Sequence, residues 1–170
     1  MVQGLTRRER EITDNEKITE ILEKENIVHI GLVNDDEPYV VPMNYGFTME
    51  DGKLTLYLHG ATEGKKLDLM RANPKVFFSI ESDVTPFSGS VACQYGTSYS
   101  SVMGKGIAEI LENPEDKMTG LSIFMKSQTN LDFEFNERMV SAVAVIKIDI
   151  TEYTAKHRPL PIQIQKQNEG

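Results

Sequence analysis

The alternation of apolar and polar positions divides the chain into short extended segments, broken by turn residues and by a few helical faces. Ile18, Ile21 and Leu22 repeat at helical spacing behind Thr13-Asp14-Asn15-Glu16. That tetrad is a capping box in which the Thr13 hydroxyl accepts from the Glu16 amide, so a helix is predicted to about Glu25. Residues 27–33 (IVHIGLV) are too few and too β-branched for a helix, and the NDDEP that follows is turn chemistry, so a strand is predicted. Residues 39–48 (YVVPMNYGFT) read as its partner. Residues 53–58 (KLTLYL) follow an Asp51-Gly52 turn and complete an antiparallel meander.

Thr62 is positioned to cap a second helix, whose Leu67, Leu69 and Met70 pack inward until Asn73-Pro74 ends it. Residues 75–80, 97–111 and 143–150 supply the fourth, fifth and sixth strands. Asn113-Pro114 opens a helix to about Lys126, and residues 136–141 form a short one. The fold class is therefore α+β, mainly β: antiparallel strands with peripheral helices, in a closed or nearly closed barrel that leaves no bare edge. After Pro159 no packing pattern remains, which predicts an arm or a flexible tail.

Composition narrows the function. The 170 residues, 39% of them hydrophobic, suit one globular domain, and the net charge of -8 opposes binding to nucleic acid or to an anionic membrane. A single cysteine excludes an internal disulfide. The chain start lacks a signal-like apolar run, and nothing approaches the ~20 apolar residues of a membrane span, so a cytoplasmic protein is expected. No metal site is expected.

Against that acidic background, residues 53–75 carry five basic residues (Lys53, Lys65, Lys66, Arg71, Lys75) and two acidic ones. Lys65 and Lys66 fall in the first turn of the second helix, where the macrodipole disfavours cations and unpaired amides favour an anion. The pair is either a phosphate site or a solvated basic face. Residues 84–104 contain no charge, and 97–101 (TSYSS) offer five hydroxyls, fit for phosphate oxygens or ring carbonyls or simply an ordinary Ser/Thr-rich strand. Pro42 cannot donate to a ladder and marks an edge, a bulge or a backbone turned toward a ligand, with the Asn44 amide two residues on.

Together, PYVVPMNYGF, DGKLTLYLHGATEGKK, NPKVFFSIE and YSSVMGKGIAEI resemble the FMN-binding split-barrel family related to pyridoxamine 5'-phosphate oxidase, nearest its nitroimidazole-resistance, nitroreductase-like subgroup, over residues 13–154. The resemblance implies a six-stranded antiparallel split β-barrel over residues 1–155, an arm or tail over 156–170, and a homodimer with FMN in each of two grooves at the subunit interface. Val41, Pro42, Met43 and Asn44 would border the isoalloxazine, with Tyr57, Leu58, His59 and Gly60 beside it. Lys65 and Lys66 match the phosphate ligands, Ser100 and Ser101 approach the phosphate or ribityl chain, and Gln94 approaches the ring.

The implied activity is a reductase carrying electrons from NADH or NADPH to a small organic acceptor such as a nitroaromatic. Non-catalytic FMN storage or redox sensing is an alternative, and a haem-binding barrel a further one. His59 is the candidate proton donor or substrate contact, or else it fixes the Gly60 turn. His29 reads as a structural histidine. Lys156, His157 and Arg158 either reach the partner subunit's flavin or belong to a solvated tail, and Cys93 is a redox thiol or inert packing. The B6 oxidases use several late basic residues for the substrate phosphate, where this chain has only Lys156 and Arg158, so oxidation of pyridoxamine phosphate is not implied.

Overall fold

The computed structural model describes residues 7–162. In chain order the elements are β1 (Glu11–Ile12), α1 (Asn15–Glu23), β2 (Ile27–Asn34), β3 (Glu37–Asn44), β4 (Gly46–Glu50), β5 (Lys53–Gly60), α2 (Lys65–Ala72), β6 (Lys75–Phe87), β7 (Gly96–Leu111), α3 (Pro114–Thr129), α4 (Glu137–Ser141) and β8 (Ala144–Arg158). All strand pairs are antiparallel. Their order is β3-β2-β6-β7-β8-β5-β4, with β1 added beside β8.

β3 and β4 therefore stand at opposite ends of the hydrogen-bonded path, yet Tyr45 alone connects them. Two ends joined by one residue force the sheet to curl on itself as a split barrel. This corrects the expectation of one strand over 39–48 and of a three-stranded meander. Tyr45 is 1% exposed and its hydroxyl donates to the Leu22 carbonyl of α1 at 2.7 Å. Gly46 lies directly under α3: an added Cβ would stand 2.4 Å from Phe124 Cα. Both constraints come from distant elements, so the local pattern could not show the break. With β1 they bring the strand count to eight rather than six.

The alternation that predicted the strands sorts them between core and surface. Val28, Ile30, Leu54, Leu56, Leu58, Phe78, Ile80, Val102, Ile146 and Ile148 are fully enclosed, and Ile18, Ile21 and Leu22 of α1 with Leu67 and Met70 of α2 close over them. Each such side chain contributes about 1.5–3 kcal/mol relative to exposure. The hairpin between β4 and β5 turns through Asp51 (φ 50°) and Gly52 (φ 78°), the two positive φ values of a type I′ turn. The Tyr153 hydroxyl of β8 donates to the Gly52 carbonyl at 2.9 Å and holds that turn against the sheet.

Helix starts differ in detail from the sequence reading. α1 is capped by Asp14, whose Oδ1 accepts from the Glu16 amide at 2.9 Å, and not by Thr13. α2 starts at Gly64 rather than Thr62: φ 136° there needs glycine, and the Gly64 carbonyl accepts from the Leu67 and Asp68 amides. Asn113 caps α3 as expected, its Oδ1 accepting from the Glu115 amide at 2.8 Å, and the helix runs to Thr129. Asn136 caps α4.

β6 and β8 outrun their expected ends. β6 continues past a bulge between Ser82 and Thr85 to Phe87, and β8 continues to Arg158, so Lys156, His157 and Arg158 pair with β7. The cross-strand partners that stabilise these extensions are remote in sequence. Residues 163–170, within the expected arm, lie outside the described residues.

Candidate functional site

The end of β5, the start of α2 and the start of β3 meet at one place. Gly60 ends β5 without a side chain, and Lys66 of α2 fills the space: an added Cβ would lie 3.2 Å from Lys66 Cε and 3.3 Å from Nζ. Lys65 Nζ lies 4.8 Å from the ring centroid of Tyr39, a cation–π contact. Among the described residues neither lysine joins an ion pair. Two cations thus stand at the positive end of a helix without an ion-pair partner, since Asp68 of the same turn pairs with Arg71.

His59 sits beside this pair. Its ring meets the Phe124 ring of α3 edge-on, with centroids 4.5 Å apart, and its cross-strand neighbour is Val145. Burial holds its pKa below the ordinary 6.5, and the Lys66 charge adds to the effect, so the imidazole is neutral at pH 7. Tyr57, two residues earlier on the same face, has its phenol pushed up by burial. Leu58 points the other way and is wholly enclosed in the core.

Along β3, Met43 is buried and Val41 packs against the core, while Pro42 and Asn44 are exposed. Pro42 lies on an end strand of the sheet path, the edge position that its missing donor suggested. Asn44 Nδ2 donates to the Asn26 carbonyl at 3.0 Å. Tyr39, under Lys65, and Asn44 mark the two ends of an extended segment roughly 17 Å long.

Ser100, Ser101 and Gln94 lie elsewhere in the chain. Ser100 Oγ is hydrogen-bonded to His157 Nδ1 at 2.9 Å, and Ser101 Oγ is buried without a hydrogen-bond partner, as is Ser82 Oγ. Gln94 Oε1 accepts from the Ser90 amide at 2.9 Å and from the Ser90 hydroxyl. The row His59–Val145–Leu111 crosses β7 at its far end, ten residues from Ser101, or roughly 33 Å of strand. One protomer gathers Tyr39, Gly60, His59, Lys65 and Lys66 at one place.

His29 is not enclosed in the apolar strand but faces outward, Nδ1 3.5 Å from Glu81 Oε2, with Ser79 donating to the same carboxylate. Cys93 is exposed rather than packed. Tyr39 and Phe124 were missed as site residues. Tyr39 adjoins the VVPMN run and could have been found there, whereas nothing local marks Phe124. Among the described residues no group of three His, Cys, Asp or Glu could hold a metal ion, and no helix is long and apolar enough to cross a membrane.

Known proteins share both sequence and fold with this chain. The family model for pyridoxamine 5'-phosphate oxidase matches residues 14–157. A candidate 5-nitroimidazole antibiotic resistance protein from Bacteroides thetaiotaomicron is similar at 30% identity over 86% of each chain, with a TM-score of 0.73. The flavocytochrome Anf3 from Azotobacter vinelandii shares the fold at TM-score 0.75 and 20% identity, covering 93% of this chain and 74% of its own. So does a FAD and haem binding protein from Mycobacterium smegmatis, at TM-score 0.74 and 16% identity over 95% and 80%. No curated protein matches the sequence. The antiparallel split-barrel sheet agrees with the family match over most of the chain: this protein belongs to the pyridoxamine 5'-phosphate oxidase family.

Proposed function

We propose that the protein is a homodimeric FMN-dependent reductase that passes electrons from NADH or NADPH to a small organic acceptor such as a nitroaromatic. The observation that carries the reading is the pair Lys65 and Lys66: uncompensated, at the start of α2, beside glycine and Tyr39. A phosphate monoester supplies the charge this arrangement lacks.

The donor set fits FMN in two further respects. From Tyr39 to Asn44 runs an extended edge, with Val41, Pro42 and Met43 between, suited to a long cofactor with its phosphate at the lysine end. Ser101 Oγ is a buried hydroxyl without a hydrogen-bond partner, which a cofactor oxygen would satisfy.

Bound FMN would supply hydride and single-electron transfer. Lys65 and Lys66 hold and orient the phosphate, and the Asn44 amide, with one hydrogen committed to Asn26, presents its remaining polar atoms to the ring edge. His59, neutral and braced by Phe124, would relay a proton, taking one up at one imidazole nitrogen as it releases one from the other.

The purified protein should be yellow, release FMN on denaturation and elute as a dimer. Anaerobic NADH or NADPH should bleach it, and a nitroaromatic should restore the colour. A haem spectrum would replace the reading. Bound FMN that neither nicotinamide reduces would convert it to storage or sensing.

A further inference from the structure

A concavity of about 550 Å³ opens between the end of α1, the break that separates β3 from β4 and the end of α3. Glu23 and Glu25 line it beside Tyr45 and Phe47, and α3 with its cap contributes Ser127 and Asn130. Hydrogen bonds between these distant elements fix its walls. The Tyr45 hydroxyl donates to the Leu22 carbonyl at 2.7 Å, and Gln128 Nε2 donates to the Tyr45 carbonyl at 2.7 Å and to the Asn26 carbonyl at 3.3 Å. Ser127 Oγ accepts from the Phe47 amide at 3.2 Å. The Tyr45 and Phe47 rings, with centroids 6.3 Å apart and planes tilted by 41°, give the cavity an aromatic side.

The charge around this cavity is negative and unanswered. α1 ends there at Glu23 and α3 at Thr129, and a helix C-terminus carries partial negative charge. Glu23 and Glu25 add two carboxylates, and among the described residues neither joins an ion pair. The lysines placed to neutralise them are engaged elsewhere. Lys24, between the two glutamates in the chain, reaches Asp83 at 2.7 Å, and Lys126, on the cavity wall, is held by Asp132 at 3.0 Å. Burial pushes the Tyr45 phenol up and the Glu25 charge adds to the effect, so this carboxylate acts on the aromatic side of the cavity.

Two uncompensated carboxylates, two helix C-termini and an aromatic side suit a cation that carries apolar surface. A bare divalent ion asks for more oxygen ligands than these, and among the described residues no group of three His, Cys, Asp or Glu could hold one. We infer that the cavity binds a small organic ammonium ion, with its head at Glu23 and Glu25 and its apolar body on Phe47. The inference rests on no property of the lysine pair or of the flavin reading.

Benzylamine is the probe, followed through the backbone amide signals of Phe47, Ser127 and Asn130 by NMR of the intact protein as purified. Benzyl alcohol, and potassium chloride at matched ionic strength, are the controls. Saturable shifts with benzylamine, absent with both controls, are expected. Glu23→Gln and Glu25→Gln together should raise the half-saturating concentration about tenfold. Phe47→Leu should raise it about threefold through loss of the cation–π contact. Absence of saturable shifts in the unaltered protein would overturn the proposal, with no variant needed. So would equal shifts with benzyl alcohol, which would make the concavity an apolar crevice, or an unchanged half-saturation in the double glutamine variant. Shifts that saturate in the same way with magnesium chloride would give the carboxylates to an inorganic cation instead.

Discussion

Gly46 and Phe124 touch backbone to backbone: a Cβ on Gly46 would stand 2.4 Å from Phe124 Cα and 2.9 Å from the Ile123 carbonyl oxygen. This contact seats α3 on β4 and brings the Phe124 ring against His59. Gly46→Ala forces the helix outward, since no flexible side chain can yield there. Overpacking of this kind costs about 1–3 kcal/mol. The urea midpoint should fall with unchanged slope, and an unaltered midpoint would show that α3 is not seated by this contact.

Lys66→Ala should weaken FMN binding about tenfold or more, since a contact to a charged group is worth about 1.5–3 kcal/mol. Lys65→Ala should act in the same direction. Quenching of flavin fluorescence on titration gives both affinities. Unchanged values for the two variants would return the pair to the status of a solvated basic face.

His59 carries a pH signature whose sign follows from its environment. Its folded pKa lies below 6.5, so on acidification the unfolded chain takes up the proton first. The stability associated with a neutral His59 is complete above pH 6.5 and is lost as the pH falls through the folded value. His59→Gln should flatten that part of the profile. Lys66→Ala removes the second cause of the shift, so the imidazole should titrate at higher pH by NMR. No movement would mean that the ammonium does not act on the ring.

The α1 cap allows a discriminating pair of substitutions. Asp14→Ala removes the acceptor of the Glu16 amide and should cost about 0.5–2 kcal/mol, whereas Thr13→Ala should leave the thermal midpoint nearly unchanged. Equal effects would restore the capping box read from the tetrad.

Elements whose signal is local were legible in the sequence. The apolar faces of α1 and α2, the Asp51-Gly52 turn, the Asn113-Pro114 start of α3 and the alternation in β5 and β8 all depend on residues a few positions apart. The Thr62 and Thr13 caps misread competition between neighbours: Gly64 alone tolerates φ 136°, and Asp14 stands one place nearer the amides. The lysine pair and the family were legible because charge and motif are properties of the string itself.

The sequence by itself determined the sheet-rich class, the main helices and the basic island, because short-range periodicity and charge order do not depend on what lies across the molecule. Only the tertiary structure decided that Tyr45 divides one apolar run between opposite ends of the sheet, that β8 reaches Arg158, and that Phe124 and Lys66 flank His59. Each of these follows from contacts between residues far apart in the chain, where burial and close backbone approach override local preference.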